Sequence, residues 1–315
     1  MNDQFPTTSN TDIKLFIILA AVLSFLLMGS IIFGLKVRRE DNSIPSEAAS
    51  KSFPTVTFGA RAVYIYDVRT KNVLFAQNEN TRLPLASLTK VMSALVAQDS
   101  SPLYSTVRIT GEALSAEGDS GLYKDEQWSL GNLLDFSLVT SSNDGIRAVA
   151  LSLGALSRAN ATTEEIINDF VGEMNRKAGE LGLRNTYFGN ETGLDESDIK
   201  GGAYGTAKDM STLLEYILVH NPELFVATTE VRTTIPSLDN REHVAKNTND
   251  IVAEIPGLRA SKTGFTNTAG GNLVFVFDPE LGRPIIVSIL GSTDEGRFED
   301  ARTLVSAVME YLKNN

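Results

Sequence analysis

The chain has no cysteine, two histidines and a single tryptophan among its 315 residues. Without cysteine there is no disulfide framework, no thiol nucleophile and no cysteine-bound metal. A Ser-His-Asp triad would have to use His220 or His243, and neither stands in a recognisable catalytic string. Both read as surface or helix-end residues. A basic run is missing as well. The formal net charge is −11, so nothing gathers phosphate contacts and nucleic acid is not an expected partner. No internal repeat or long low-complexity segment suggests a solenoid or a disordered protein.

What is present begins with an apolar stretch at residues 15–35, 21 residues without a charge, bracketed by Lys14 and by Lys36, Arg38 and Arg39. About 20 apolar residues span a bilayer core, and this stretch is long for a signal-peptide core. It is expected to be an uncleaved signal-anchor helix. The positive charges after it would, by the positive-inside rule, hold the rest of the chain in the cytoplasm. The domain plan is a short tail over 1–14, a transmembrane helix over 15–35, a polar linker over 36–57 and one globular domain over 58–315. That last stretch can bury a sizeable core.

Three short strings follow in order: ASLTK at 86–90, SSN at 141–143 and KTG at 262–264. A Ser-x-x-Lys spacing is expected about once by chance in a chain this long, and a second copy occurs at Ser197 and Lys200. Context separates the two. Ser197 lies in a Gly- and Asp-rich stretch that reads as a solvated loop. Ser87 opens the apolar run 88–97, with Val91, Met92, Leu95 and Val96 at helical spacing. The three-residue offset then sets the Lys90 amine beside the Ser87 hydroxyl, at a helix N-terminus that favours developing negative charge. Taken alone, a capping serine and a surface lysine would explain the string.

The other two strings change that reading. Ser141, Ser142 and Asn143 fall between two expected helices, 130–139 and 146–153, where a loop can present positioned groups. Lys262, Thr263 and Gly264 precede Phe265 and the β-like run 272–277, which suggests an edge strand. There a glycine admits a substrate backbone, while Lys262 and Thr263 offer a charge and a hydroxyl to a carboxylate. Jointly the strings supply a nucleophile, a proton-handling group and an anion site, the parts of acyl transfer at serine.

On these residues the chain resembles the D-alanyl-D-alanine carboxypeptidases of the low-molecular-mass penicillin-binding proteins, the S11 serine peptidases. The resemblance extends through 61–97, FVGEMNRKAGELGLRNTYFGNETGLD at 170–195 and SKTGFTNTAGGNLVFV at 261–276. It implies that Ser87 is the acylated serine and Lys90 its general base. It further implies that Ser141 relays a proton to the leaving amine, and that Asn143 orients Lys90 and the substrate backbone. Lys262 and Thr263 would bind the terminal carboxylate beside Gly264, and the N–H groups of Ser87 and Phe265 would hold the oxyanion. A free lysine titrates near about 10.4, so Lys90 would need burial or a neighbouring positive charge, such as Lys262, to become neutral.

The implied substrates are peptidoglycan stem peptides ending in D-Ala-D-Ala, with β-lactams as covalent inhibitors and no cofactor or metal. The implied location is the cell membrane with the catalytic domain on the extracytoplasmic side, overriding the flanking charges. A DD-endopeptidase and a catalytically idle binding module are the alternatives. Ser142 stands where class A β-lactamases carry Asp. Glu164 and Asn168 reproduce a deacylation-loop spacing of those enzymes, but 162–165 reads as a capped helix start instead.

The expected architecture is α+β. A hairpin at 62–67 and 72–76 and strands at 226–234, 272–277 and 285–290, before a last helix at 297–313, flank a helical middle. Thr206 is expected to cap a helix over 210–218. This order implies an antiparallel sheet covered by helices plus a helical lobe. The resemblance names it as the penicillin-binding-protein transpeptidase or β-lactamase-like fold.

Overall fold

The computed structural model describes residues 21–24, 52–154 and 161–314. The expected membrane helix lies outside the described residues except for 21–24, which are helical, as do the expected tail and most of the linker. Among the described residues no helix is long and apolar enough to cross a membrane. The packed unit runs Phe53–Asn314. Phe53 packs its ring on Phe75 and Tyr311.

Its strands are β1 (Ala62–Asp67), β2 (Asn72–Gln77), β3 (Leu83–Pro84), β4 (Thr106–Arg108), β5 (Gln127–Ser129), β6 (Tyr187–Phe188), β7 (Ala203–Gly205), β8 (Arg232–Pro236), β9 (Glu242–Lys246), β10 (Leu258–Thr266), β11 (Gly270–Phe277) and β12 (Ile285–Ser292). The helices are α1 (Thr89–Ser100), α2 (Leu130–Thr140), α3 (Asn143–Gly154), α4 (Thr163–Glu180), α5 (Ala207–His220) and α6 (Gly296–Asn314). One five-stranded antiparallel sheet has the order β10-β11-β12-β1-β2. This places β10, which carries the KTG string, at an edge.

The central strands read as continuous apolar runs because both sheet faces are covered. Alternation assigns each residue to a face. Ala62, Tyr64, Val274, Val276 and Ile286 join Met210, Leu213 and Ile217 of α5 in the larger core. Val63, Ile65, Leu273, Phe275 and Val287 join Phe298, Leu304 and Val308 of α6 in the other. Helices α1 to α4 extend the larger core into a helical lobe around the fully buried Trp128.

The helix starts behave as their sequences suggest. Thr206 Oγ1 accepts from Asp209 N at 3.0 Å. Thr162 and Glu165 form a reciprocal capping box, so Glu164 is a first-turn acid of α4. Two expectations are corrected. Residues 226–234 are not one strand. Residues Pro222–Thr229 form 3-10 turns, and β8 starts only at Arg232. Asn247 Nδ2 holds the Thr228 and Glu230 carbonyls at 2.9 and 3.0 Å, which fixes the turn ending where local β-propensity would have run on. His243 is buried rather than superficial: it faces inward from β9, bonded to Glu126 at 2.8 Å and packed on Trp128. His220 does end a helix, stacked on Tyr216.

Candidate active site

Ser87 lies in a 3-10 turn, Ala86–Leu88, that runs directly into α1. The turn is tight enough to give Ala86 a φ of 49°, a left-handed conformation that costs a non-glycine residue energy. Two contacts hold it. Thr89 Oγ1 donates to the Ala86 carbonyl at 2.8 Å. Gly193, itself at φ 82°, packs so closely that a Cβ there would sit 1.9 Å from that carbonyl oxygen. Glycine is required at 193 on both counts.

The turn is also clamped to the sheet. Asn272 Nδ2 on β11 donates to the Pro84 and Leu85 carbonyls, each at 3.0 Å, and its Oδ1 accepts from Gly291 N at 2.8 Å. The side chain is fully buried. Asn272→Ala would leave both carbonyls without this donor. It is expected to lower unfolding stability by about 1–3 kcal/mol, measured by urea denaturation.

The Lys90 amine donates to Ser87 Oγ at 2.8 Å and to the Thr192 carbonyl at 2.9 Å. The lysine is fully buried. Burial pushes its pKa down to about 7, and the Glu191 carboxylate pulls in the opposite direction. Desolvation, rather than the charge of Lys262, is thus what depresses the Lys90 pKa. The second Ser-x-x-Lys copy is exposed, and its lysine pairs with Glu196.

Ser141 ends α2 in the left-handed region at φ 61°. Ser142 Oγ accepts from Gly145 N at 2.9 Å and starts α3. The sharp reversal turns Ser141 toward the sheet, where Lys262 Nζ donates to its Oγ at 2.9 Å. Lys262 also donates to the Thr263 carbonyl at 2.8 Å. Burial pushes this second amine well below the ordinary lysine range, with Lys90 and Arg297 adding repulsion. The Thr263 hydroxyl lies 2.6 Å from that of Thr248.

The edge strand meets the Ser87 turn at Gly264. A Cβ there would lie 3.2 Å from the backbone nitrogen of Ser87 and 2.9 Å from the Leu85 carbonyl oxygen, so the small residue permits the approach. Earlier along β10 the edge is covered, with Ser261 N donating to Thr228 Oγ1 at 3.1 Å. Phe265 remains 45% exposed beside a cavity of about 420 Å³ that Glu117, Leu194 and Asp195 also line.

Asn143 takes a different place from the one expected. Its Nδ2 donates to the Glu117 carbonyl at 2.7 Å, and its Oδ1 is buried with no partner among the described residues. The second ligand of Lys90 is the Thr192 carbonyl, not the asparagine amide. Asn143 instead ties the 112–122 loop to α3.

Sequence reasoning gave no role to Asn272, Gly193, Thr192 or Arg297, whose guanidinium reaches the Gly264 carbonyl at 3.4 Å. The segment FGNETGLD contained part of the signal. Its Asn190 folds the loop on itself, Oδ1 accepting from Gly193 N at 2.7 Å and Nδ2 donating to the Leu194 carbonyl at 2.9 Å. Among the described residues no group of three or more histidines, cysteines or carboxylates could hold a metal ion.

The arrangement couples a hydroxyl to a buried amine, and a second buried amine to a second hydroxyl, across a strand edge. The family model for D-alanyl-D-alanine carboxypeptidases matches residues 47–293. The chain therefore belongs to the S11 peptidases, a family of serine hydrolases. It is 30% identical over 246 residues to D-alanyl-D-alanine carboxypeptidase DacB2 of Mycobacterium tuberculosis, covering 78% of this chain and 79% of that protein. The DacF carboxypeptidase of Bacillus subtilis is 28% identical over 250 residues, 77% of this chain and only 60% of that protein. The D-alanyl-D-alanine endopeptidase of Pseudomonas aeruginosa is 30% identical over 218 residues, 67% of this chain and 64% of that one. Among solved structures, penicillin-binding protein D2 of Listeria monocytogenes in its cefotaxime-bound form superposes with a TM-score of 0.67 at 27% identity. That match covers 81% of this chain and 98% of the Listeria chain.

Proposed function

We propose that this protein is a DD-carboxypeptidase that removes the terminal D-alanine of peptidoglycan stem pentapeptides through an acyl-enzyme on Ser87. The observation that carries the reading is the 2.8 Å bond between Ser87 Oγ and a fully buried Lys90 amine whose pKa lies at about 7. Such an amine is neutral often enough near pH 7 to accept a proton, which an ordinary surface lysine is not.

In the proposed reaction Lys90 takes the Ser87 proton as Oγ attacks the carbonyl of the penultimate D-alanine. The N–H groups of Ser87 and Phe265 hold the oxyanion. Ser141 passes a proton to the departing amine, the C–N bond breaks, and free D-alanine leaves. Water then hydrolyses the Ser87 ester. Lys262 and Thr263 bind the terminal carboxylate. A docked carboxylate favours the charged form of Lys262 and so offsets its burial. That charge, facing Lys90 across the cleft, further favours the neutral base, so substrate binding helps to prepare the nucleophile. β-Lactams would acylate the same serine.

Cleavage of peptide cross-links by the same machinery is the second reading, favoured by the 30% identity to a protein named as an endopeptidase. The apolar run at 15–35 supports a membrane anchor, and the family's peptidoglycan substrate, rather than the flanking charges, supports a catalytic domain outside the cytoplasm. The test is mass-resolved product analysis of the full chain with stem pentapeptides and cross-linked muropeptide dimers. Loss of one alanine from the pentapeptide is the expected result. Conversion of dimer to monomer without such loss would replace the carboxypeptidase by the endopeptidase, and no change in either substrate would overturn both.

A further inference from the structure

The loop that receives Lys90 carries a buried charge with no part in the reaction just described. Glu191 is fully buried, and its Oε1 accepts from Arg147 Nε of α3 at 2.8 Å. Its Oε2 is buried with no hydrogen-bond donor among the described residues. A carboxylate this deep is costly to desolvate, and one ion pair offsets only part of that cost. The same stretch of backbone grips the nucleophile helix at two points one turn apart. Ser93 Oγ donates to the Glu191 carbonyl at 2.6 Å, and Lys90 donates to the next one, Thr192, at 2.9 Å. The loop cannot move without moving Lys90.

We infer that the Arg147–Glu191 pair is a positioning pair that acts through Lys90 and sets the pH at which Ser87 is acylated. This rests on the reading of Lys90 as the base. Burial alone would drive the amine further down, and the fixed negative charge on Glu191 counters it. Arg147, bonded to that carboxylate, carries the opposite charge and so offsets part of its field at Lys90. The result is an amine that is neutral often enough to act as a base and basic enough to take a serine proton.

The other charges around Lys90 come from separate elements. Lys262 faces it from β10, with Arg297 of α6 behind that residue at the Gly264 carbonyl. Asp144 stands one turn from Arg147 on α3, with Ser120 N on its carboxylate at 3.4 Å. Helix α4 presents Met174, not a charge, to Ser93. The one acid of α2, Asp135, lines a separate cavity with Gln98 and Leu103. On α1 itself, Asp99 is paired with Lys177. Glu191 and its partner Arg147 are therefore the charges whose removal tests the idea most cleanly.

The experiment follows the rate of acylation by a chromogenic β-lactam against pH, in the full chain and in two variants. Glu191→Gln keeps the shape and removes the negative charge, which disfavours protonated Lys90. Its acid limb is expected to shift to lower pH by about one unit. The double variant Arg147→Gln with Glu191→Gln removes both charges together and covers the case in which the single variant does not fold. Its limb is expected to shift in the same direction by less. A limb that stays at the wild-type pH, or rises, in either folded variant overturns the inference; a merely structural role would lower the rate equally at all pH values. A wild-type profile without an acid limb would instead refute the reading of Lys90 itself.

Discussion

Ser87→Ala is expected to abolish covalent capture of labelled penicillin and all release of D-alanine, with the melting temperature within a few degrees of wild type. Ser87 Oγ is the hydroxyl bonded to the buried Lys90 amine, and the other candidate hydroxyl, Ser141, is bonded to Lys262 on the far side of the cleft. Removing Oγ deletes the atom that would form the ester, so no fraction of turnover through that ester can remain. The 3-10 turn does not depend on it. Ala86, Thr89, Gly193 and Asn272 hold the backbone through contacts that do not involve the Ser87 side chain. Intact-protein mass spectrometry after exposure to the drug reads the result. A Ser87→Ala protein that still gained the mass of the drug would move the nucleophile elsewhere.

Lys90→Gln is expected to reduce the acylation rate by roughly 10²–10⁴-fold, the range for loss of a positioned general base. The glutamine amide is one bond shorter than the lysine, so it leaves a neutral polar group in the same place without reaching both Ser87 Oγ and the Thr192 carbonyl. What it cannot do is accept a proton at neutral pH. Because the replaced amine is buried and already depressed to about 7, exchanging it for a neutral amide removes no strong ion pair. The variant should therefore remain folded, and stopped-flow acylation isolates the chemical loss. A rate within a few-fold of wild type would remove Lys90 from the mechanism.

The parts of this site that could be read from the sequence are those set by short-range spacing. The three-residue offset of Ser87 and Lys90 becomes a 2.8 Å bond because both stand on the first turns of one helix. The KTG string lies on an edge strand because the runs after it, at 270–277 and 285–292, are apolar on both faces and must be interior. Capping chemistry at Thr162 and Thr206 placed two helix starts for the same reason: donor and acceptor are three residues apart.

Long-range pairings were not legible. Asn272 reaches carbonyls 187 and 188 positions earlier in the chain, and nothing local to either segment announces it. The Arg147–Glu191 pair joins the helix after the SSN string to a loop that the sequence marked only as similar to a family segment. His243 reads as an isolated polar residue, and only the β8–β9 hairpin turns it inward toward Glu126 and Trp128. The contact that Asn143 makes was hidden for a related reason. Its amide is claimed by the Glu117 carbonyl of a loop with no distinctive motif.

The proposed chemistry is a serine activated by a lysine whose pKa burial has lowered, and the pH dependence of β-lactam acylation by the wild-type protein tests this most directly. A base must lose its own proton before it can take one from Ser87, so the rate follows the neutral fraction of Lys90. It should rise with pH through a single limb centred at about 7 and level off above it. A rate that is flat from acid to alkaline pH, or one still rising toward the range of an ordinary lysine near about 10.4, would contradict it.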